Sequence, residues 1–331
     1  MAAPPTSGGP PRTDADDLGS LRALVEQARA GRPRAVGRLI SLVEDGAPQL
    51  PALMAELAPT SGRAHVVGLT GSPGVGKSTT TTALVQALRA RGQVVGVLAI
   101  DPSSPFTGGA LLGDRVRMQD HALDRGVFIR SMATRGHLGG LSAAAPAALR
   151  VLDAAGCDVV LVETVGVGQS EVEVSACADT TCVLLAPGTG DAIQVAKAGI
   201  LEVGDVFVVN KADRDGVQAV VRDLRTMLSM GAPAAPDAWR PPVVRTVASR
   251  GEGIEELLEA VTAHAESQRA GGGWARRRRR RAREEIEALA LARVRADFRR
   301  SAGPRLDELA AAVSEGEQDP YQAAADLLAG R

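Results

Sequence analysis

The sequence predicts an α/β fold: a mainly parallel sheet with helices on both faces, helices before it and a helical arm after it. Three observations carry that expectation. Seven short apolar runs, at 66–70, 94–100, 127–130, 159–163, 182–186, 206–210 and 243–247, alternate with helical stretches, which is the pattern of repeated βα units. Several runs meet a polar residue at their carboxyl end, with Asp101 just after the second and Glu163 and Asn210 closing theirs. Open parallel sheets bind ligands along that rim. Beyond about residue 264 the spacing becomes that of long helices.

The length fits one large α/β domain with helical additions, or two domains. With 331 residues and 45% hydrophobic residues the chain can bury a substantial core, and with only 2% aromatics that core must be built from Ala, Val and Leu. Lys and Arg number 38 against 39 Asp and Glu, a balance that argues against nucleic acid as the main partner. Cys157, Cys177 and Cys182 form no C-x-x-C pair, and the four histidines lack ligand spacing, so neither a disulfide framework nor a zinc site is expected. No apolar run is long enough for a membrane span, and the Pro- and Gly-rich start has no apolar signal core, so a cytoplasmic protein without membrane contact is expected.

In order, residues 1–16 read as a disordered tail and 17–60 as a helical segment. In that segment Leu18, Leu21, Leu24 and Val25 share one helical face, and Val36, Leu39, Ile40 and Val43 share another, while Pro51 and Pro59 punctuate the approach to the first strand. The sheet domain spans 61–265 and the arm 266–331. In the arm, Gly271 to Gly273 form a hinge before Trp274 and an arginine run at 276–281. Ile286, Ala290, Val294 and Phe298 then recur at i+4, Gly303-Pro304 ends that helix, and Leu306, Leu309 and Val313 mark another. Asp319-Pro320 can cap and start a last helix. The arginines wrap all sides of a helix without interleaved aromatics, which suits a solvated helix start or a charged partner surface better than a nucleic-acid patch.

The first apolar run leads into Gly71-Ser72-Pro73-Gly74-Val75-Gly76-Lys77-Ser78-Thr79, which fits G-x-x-x-x-G-K-[ST], the phosphate-binding loop. Glycines let successive backbone N–H groups turn around phosphate oxygens, and the following helix offers its positive end to the same anion. Lys77 is expected to bridge the β- and γ-phosphates, and Ser78 to ligate Mg²⁺. Asn210-Lys211-Ala212-Asp213 follows a later strand and matches N-K-x-D, the guanine-reading motif. The Asp213 carboxylate can accept from guanine N1–H and the exocyclic amine, a donor pair that adenine lacks. Asn210 braces the loop and the Lys211 stem covers the base. Near Val247-Ala248-Ser249 a backbone N–H is expected to meet the guanine O6, with Val247 and Ala248 the candidates.

The segment from Val159 through Glu163 to Gly166 has the form of a metal-and-switch element: an apolar strand delivers an acid to the Mg²⁺ shell, and the glycine N–H faces the γ-phosphate. Glu163 reaches further than an aspartate, so it is expected to act through a water ligand. Asp101 and Asp114 are two further candidate Mg²⁺-shell acids, Asp114 with a salt bridge to Arg115 or Arg117 as its alternative reading. At 190–197, Asp191 and Gln194 fit a helix N-cap and its N3 partner, with Lys197 a turn further on. No general base stands out, and Gln169 lies at the wrong offset to position a water.

With those motifs placed, the chain resembles the methylmalonyl-CoA mutase-associated GTPase family, MeaB or ArgK by label. The resemblance rests on GLTGSPGVGKSTTT, AIDPSSPFTGGALLGDRVRM, FIRSMATRGHLGGLS, VLVETVGVGQSEVEV, GDAIQVAKAGILE, VVNKAD and TVASRGEGIEEL. It implies a GTPase of the signal-recognition and metallochaperone class, dimeric through its C-terminal arm, with GTP and Mg²⁺ as its ligands. Such proteins gate cofactor loading and protect an adenosylcobalamin-dependent acyl-CoA mutase, and a cobalamin adenosyltransferase is a second implied partner. By motif, the resemblance gives Lys77, Asp101 and Glu163 catalytic roles, Ser78, Asp101, Asp114 and Glu163 metal-site roles, and Asp191, Gln194 and Lys197 a switch that senses the mutase. The segment IRSMATRGHLGG departs from the IRPSPTSGTLGG-like form of well-described members, so a related mutase is as much an expected client as methylmalonyl-CoA mutase. A metallochaperone GTPase delivering metal to another enzyme is the alternative, and it calls for a Cys/His cluster that the sequence lacks.

Overall fold

The computed structural model describes residues 14–102, 124–134, 144–164, 170–188, 200–230 and 238–329. Contacts divide the chain into two compact units, Met1–Trp274 and Ala275–Arg331. Among the described residues the first unit holds seven strands in the order β3-β2-β4-β1-β5-β6-β7: β1 (His65–Thr70), β2 (Val95–Pro102), β3 (Val127–Thr134), β4 (Val159–Thr164), β5 (Thr180–Leu185), β6 (Val206–Asn210) and β7 (Val243–Thr246). Every pairing between them is parallel. The strands lie close to the seven apolar runs; β3 is longer than expected because Ser131 to Thr134 continue the ladder beside Ala99 to Pro102.

Period-two side chains build a core on each face of the sheet. Val67, Leu69, Val159, Leu161, Cys182 and Leu184 face α4 (Lys77–Ala90) and α9 (Ile254–Ala270). On the other face Leu98, Ile100, Val160 and Val162 pack with α5 (Ala144–Ala154) and the N-terminal helices, and Val183 and Phe207 pack with α8 (Val217–Ser229). Two short helices complete this side, α6 (Ser170–Cys177) and α7 (Ile200–Val203). The amino edge of the sheet is tied by carboxylates, which satisfy strand N–H groups that have no ladder partner. Asp158 accepts from Val94 N at 2.8 Å, Asp179 from Val66 N at 3.1 Å and Asp205 from Thr181 N at 2.8 Å.

The N-terminal layer is α1 (Asp14–Arg29), α2 (Pro33–Glu44) and α3 (Leu50–Leu57). Leu21 and Val25 are buried as expected, as are Val36, Leu39, Ile40 and Val43, but Leu18 lies 46% exposed and does not join that face. The approach to β1 is also a helix, since Pro51 occupies the first turn of α3, where a missing N–H costs nothing, while Leu53 and Leu57 are fully buried.

In the second unit the expected break at Gly303-Pro304 is absent: α10 (Gly273–Ser314) runs through Pro304. The reason is packing on either side of the proline. Ala302 and Leu309 are buried against Ala323 and Leu327 of α11 (Pro320–Ala329), with Phe298 and Val313 extending the seam. Asp319 caps α11 as expected, its Oδ1 accepting from Tyr321 N at 2.9 Å and Gln322 N at 3.1 Å. No helix among the described residues is long and apolar enough to cross a membrane.

Candidate functional site

The strand order reverses around β1, which has β4 on one side and β5 on the other. Crevices form at such switch points, beyond the carboxyl ends of the strands, and the loop from Gly71 to Gly76 leaves β1 there and enters α4 at Lys77. Two glycines are required by what surrounds them. Gly71 has φ +138, and a Cβ would stand 2.2 Å from the Leu184 carbonyl oxygen. Gly76, with φ +98, would put a Cβ 2.4 Å from Asn210 Nδ2. Between them Ser72 is half-buried, Pro73 and Gly74 are exposed and Val75 is fully buried; Thr79, after Ser78, is exposed. The loop is therefore open toward solvent at its tip and anchored beneath.

Lys77 lies buried under this loop, with Nζ donating to the Gly71 carbonyl at 2.6 Å and the Ser72 carbonyl at 3.0 Å. Its ammonium is thus held where phosphate oxygens would replace carbonyl oxygens as acceptors. Ser78 Oγ donates to Glu163 Oε1 at 3.0 Å, and Thr81 Oγ1 donates to Glu163 Oε2. Glu163, the last residue but one of β4, is 3% exposed and gains from these hydroxyls the hydrogen bonds that a buried carboxylate needs. Thr81 was not singled out by the motifs; its signal is its place one helical turn beyond Lys77, on the face that meets β4.

The donor set around Ser78 fits a magnesium ion. A hydroxyl that gives its proton to a carboxylate keeps acceptor lone pairs, and hydroxyl and carboxylate oxygens are the hard ligands this cation takes. Thr70 Oγ1 and Thr164 Oγ1, at the ends of β1 and β4, are buried without a hydrogen-bond partner among the described residues. Asp101 stands near the carboxyl end of β2, one position beyond the Ile100–Thr164 pair. Its side chain lies outside the described residues, as do Asp114, Gly166, Gln169 and the Asp191, Gln194 and Lys197 stretch.

Asn210, 3% exposed, joins three loops. Its Nδ2 donates to the Val75 carbonyl at 2.8 Å, and its Oδ1 accepts from Thr246 Oγ1 at 3.0 Å and from Ala248 N at 3.1 Å. A carbonyl on one side and an amide N–H on the other fix the orientation of this side chain. Lys211 takes φ +56 and reaches back so that Nζ donates to the Gly74 carbonyl. Asp213 is 37% exposed and accepts from Arg250 Nη2 at 3.1 Å. The backbone amides expected at the guanine O6 are engaged: Ala248 N with Asn210, and Val247 N with the Glu252 carbonyl at 3.0 Å. A base that took the Ala248 N–H would share it with Asn210.

Comparison with known proteins bears on the same residues. A family model described as methylmalonyl Co-A mutase-associated GTPase MeaB matches residues 36–302. The chain is 46% identical over 310 residues to a putative GTPase of Pyrococcus abyssi, covering 92% of this chain and 95% of that protein. It is 41% identical over 199 residues to the mitochondrial methylmalonic aciduria type A homolog of Caenorhabditis elegans, 59% of this chain and 50% of that protein. The crystal structure of an LAO/AO transport system kinase superposes with a TM-score of 0.69 at 27% identity, over 93% of this chain and 96% of that one.

Proposed function

The chain belongs to the MeaB family of methylmalonyl-CoA mutase-associated GTPases and hydrolyses GTP, and from that premise we propose that hydrolysis times the loading and protection of an adenosylcobalamin-dependent acyl-CoA mutase. The observation that carries the nucleotide side of this reading is the Asn210 bridge, which makes the base-reading loop and the phosphate loop one assembly. The client side is supported by the family's description and by the name of the C. elegans homolog.

In this reading GTP lies along the carboxyl rim of the sheet. Backbone N–H groups from Ser72 through Ser78 receive the phosphates, joined by the end of α4. Lys77 exchanges the Gly71 and Ser72 carbonyls for β- and γ-phosphate oxygens and offsets the charge that develops there during transfer. Ser78 would hold Mg²⁺ directly, with Glu163 bonded to that hydroxyl and acting through a water; Asp101 and Asp114 complete the proposed set. When bound, the ion would offset negative charge on the β- and γ-phosphate oxygens. Asn210 keeps the two loops in register, Lys211 covers the base and Asp213 reads its N1–H and amine.

Gly166, Asp191, Gln194 and Lys197 are the proposed switch elements through which the mutase completes the hydrolytic site. Ile286 and Val294, on the i+4 stripe of α10, and Leu291 beside it are each more than half exposed, and this face is the proposed contact with a second copy. A cobalamin adenosyltransferase would be the source of the cofactor whose transfer is gated. The test is nucleotide-dependent complex formation. Sedimentation of the protein with each cobalamin-dependent mutase of the source organism, with GDP or a non-hydrolysable GTP analogue, should give one complex whose affinity differs between nucleotides. Equal affinity in both states, or no complex with any mutase, would remove the timing role.

A further inference from the structure

Arg250 lies in the turn after β7 and is the described side chain whose guanidinium meets the base-reading carboxylate. Its Nη2 donates to Asp213 Oδ2 at 3.1 Å, and its Nη1 stands 3.7 Å from Glu252 Oε1. The turn itself is firmly set. Residues Ala248–Arg250 form a 3-10 turn, Arg250 N donates to the Val247 carbonyl at 2.9 Å, and Val247 pairs with Glu252 in an antiparallel bridge. The same turn gives Ala248 N to Asn210, and Ala212 N bonds to the Thr246 carbonyl at 3.0 Å. Three residues of the N-K-x-D segment, Asn210, Ala212 and Asp213, are therefore each held by the stretch Thr246 to Arg250.

We infer that Arg250 is a specificity-determining positioning residue, which sets the plane of the Asp213 carboxylate so that both oxygens meet guanine. The inference rests on reading Asp213 as the guanine acceptor. An ionised carboxylate offers about four lone-pair sites, and one guanidinium N–H occupies one of them on Oδ2. The remaining sites suffice for the N1–H and the exocyclic amine. Those two donors are fixed in one ring plane, so both are met only near one orientation of the Asp213 carboxylate about its last torsion, whereas a single donor can be met by one oxygen over a wider range. Such terminal torsions are broad, and Asp213, on an exposed loop, has Arg250 as the side chain bonded to its carboxylate among the described residues. Hypoxanthine has the N1–H and lacks the amine; it needs one oxygen and tolerates the rotation.

The consequence is read in a ratio. Arg250→Ala should weaken GDP more than IDP, lowering Kd(IDP)/Kd(GDP) by roughly threefold, the size expected of one exposed charge pair. Arg250→Lys, which keeps the charge, should recover part of the ratio; Arg250→Gln, of similar length, serves if the alanine variant folds poorly. Titration of each variant with fluorescent GDP, and competition by IDP, measures it. A ratio equal to that of the unaltered protein, whether both affinities fall together or neither changes, overturns the inference. Asp213→Asn in the same assay separates the two levels. If it fails to shift preference from guanine to xanthine nucleotides, the base-reading assignment itself is wrong; if it shifts and the Arg250 ratio holds, only the positioning role is lost.

Discussion

Asn210 Nδ2 donates to the Val75 carbonyl at 2.8 Å, so the last residue of β6 is bonded to the middle of the phosphate loop 135 residues earlier. Neither loop can shift without breaking a buried hydrogen bond, because Oδ1 of the same side chain is committed to Thr246 and Ala248. Asn210→Ala should therefore reduce both stability and binding. Leaving the Val75 carbonyl and Ala248 N–H unpaired costs about 1–3 kcal/mol each. Urea unfolding should report a loss of about 2–6 kcal/mol, and GDP affinity should fall with it.

Gly76→Ala probes the same contact from the other side. The residue sits at φ +98 with Asn210 Nδ2 where a Cβ would go. A left-handed conformation costs a non-glycine residue about 1–3 kcal/mol before that clash is counted. Nucleotide affinity should drop by roughly tenfold or more, measured by calorimetry, while the far-UV circular dichroism spectrum stays that of the unaltered protein.

Lys77→Ala should separate chemistry from folding. The ammonium bonds to two loop carbonyls that water can serve instead, so the sheet should form. Single-turnover GTP hydrolysis should slow by roughly 100-fold or more, as when one preorganised donor to developing charge is removed.

Glu163→Gln tests the metal assignment. The carboxylate accepts from both Ser78 and Thr81, and an amide retains one acceptor oxygen. Groups that orient a metal ligand are worth roughly 10- to 100-fold in metal affinity. The Mg²⁺ concentration giving half-maximal hydrolysis should rise by roughly tenfold; an unchanged magnesium dependence would place Glu163 outside the metal shell.

The three cysteines should be inert in the folded protein. All are buried and none is in a disulfide, and burial, reinforced by nearby aspartates, pushes the Cys157 and Cys182 thiols well above their usual range. The thiolate is the reactive form, so raising the pKa keeps it scarce at neutral pH. Iodoacetamide at pH 8 should label none of the three at an appreciable rate until denaturant is added, when all three should react.

The strands and the phosphate loop were legible because each is written locally: apolar runs that are buried, and a motif whose glycines answer to neighbours that β5 and β6 bring. What escaped depended on distant contacts. Pro304 reads as a helix end, yet Ala302 and Leu309 meet Ala323 and Leu327 on either side of it, and that seam keeps α10 continuous. Leu18 fits the apolar face of α1 by spacing but is 46% exposed. Thr81 and Arg250 lie within segments that carry the family resemblance, but the motifs give neither a role; their contacts form only when β4 and the turn after β7 fold against the loops they serve. That Ala248 N–H is spent on Asn210 likewise follows from the fold rather than from the local pattern.

The most direct test of the account is steady-state GTP hydrolysis by the purified protein, alone and with each cobalamin-dependent acyl-CoA mutase of the source organism. A site completed by its client predicts slow hydrolysis alone and at least roughly tenfold stimulation by one mutase. Full-rate hydrolysis by the free protein, with no mutase adding to it, would contradict the timing role and leave a GTPase whose partner lies elsewhere.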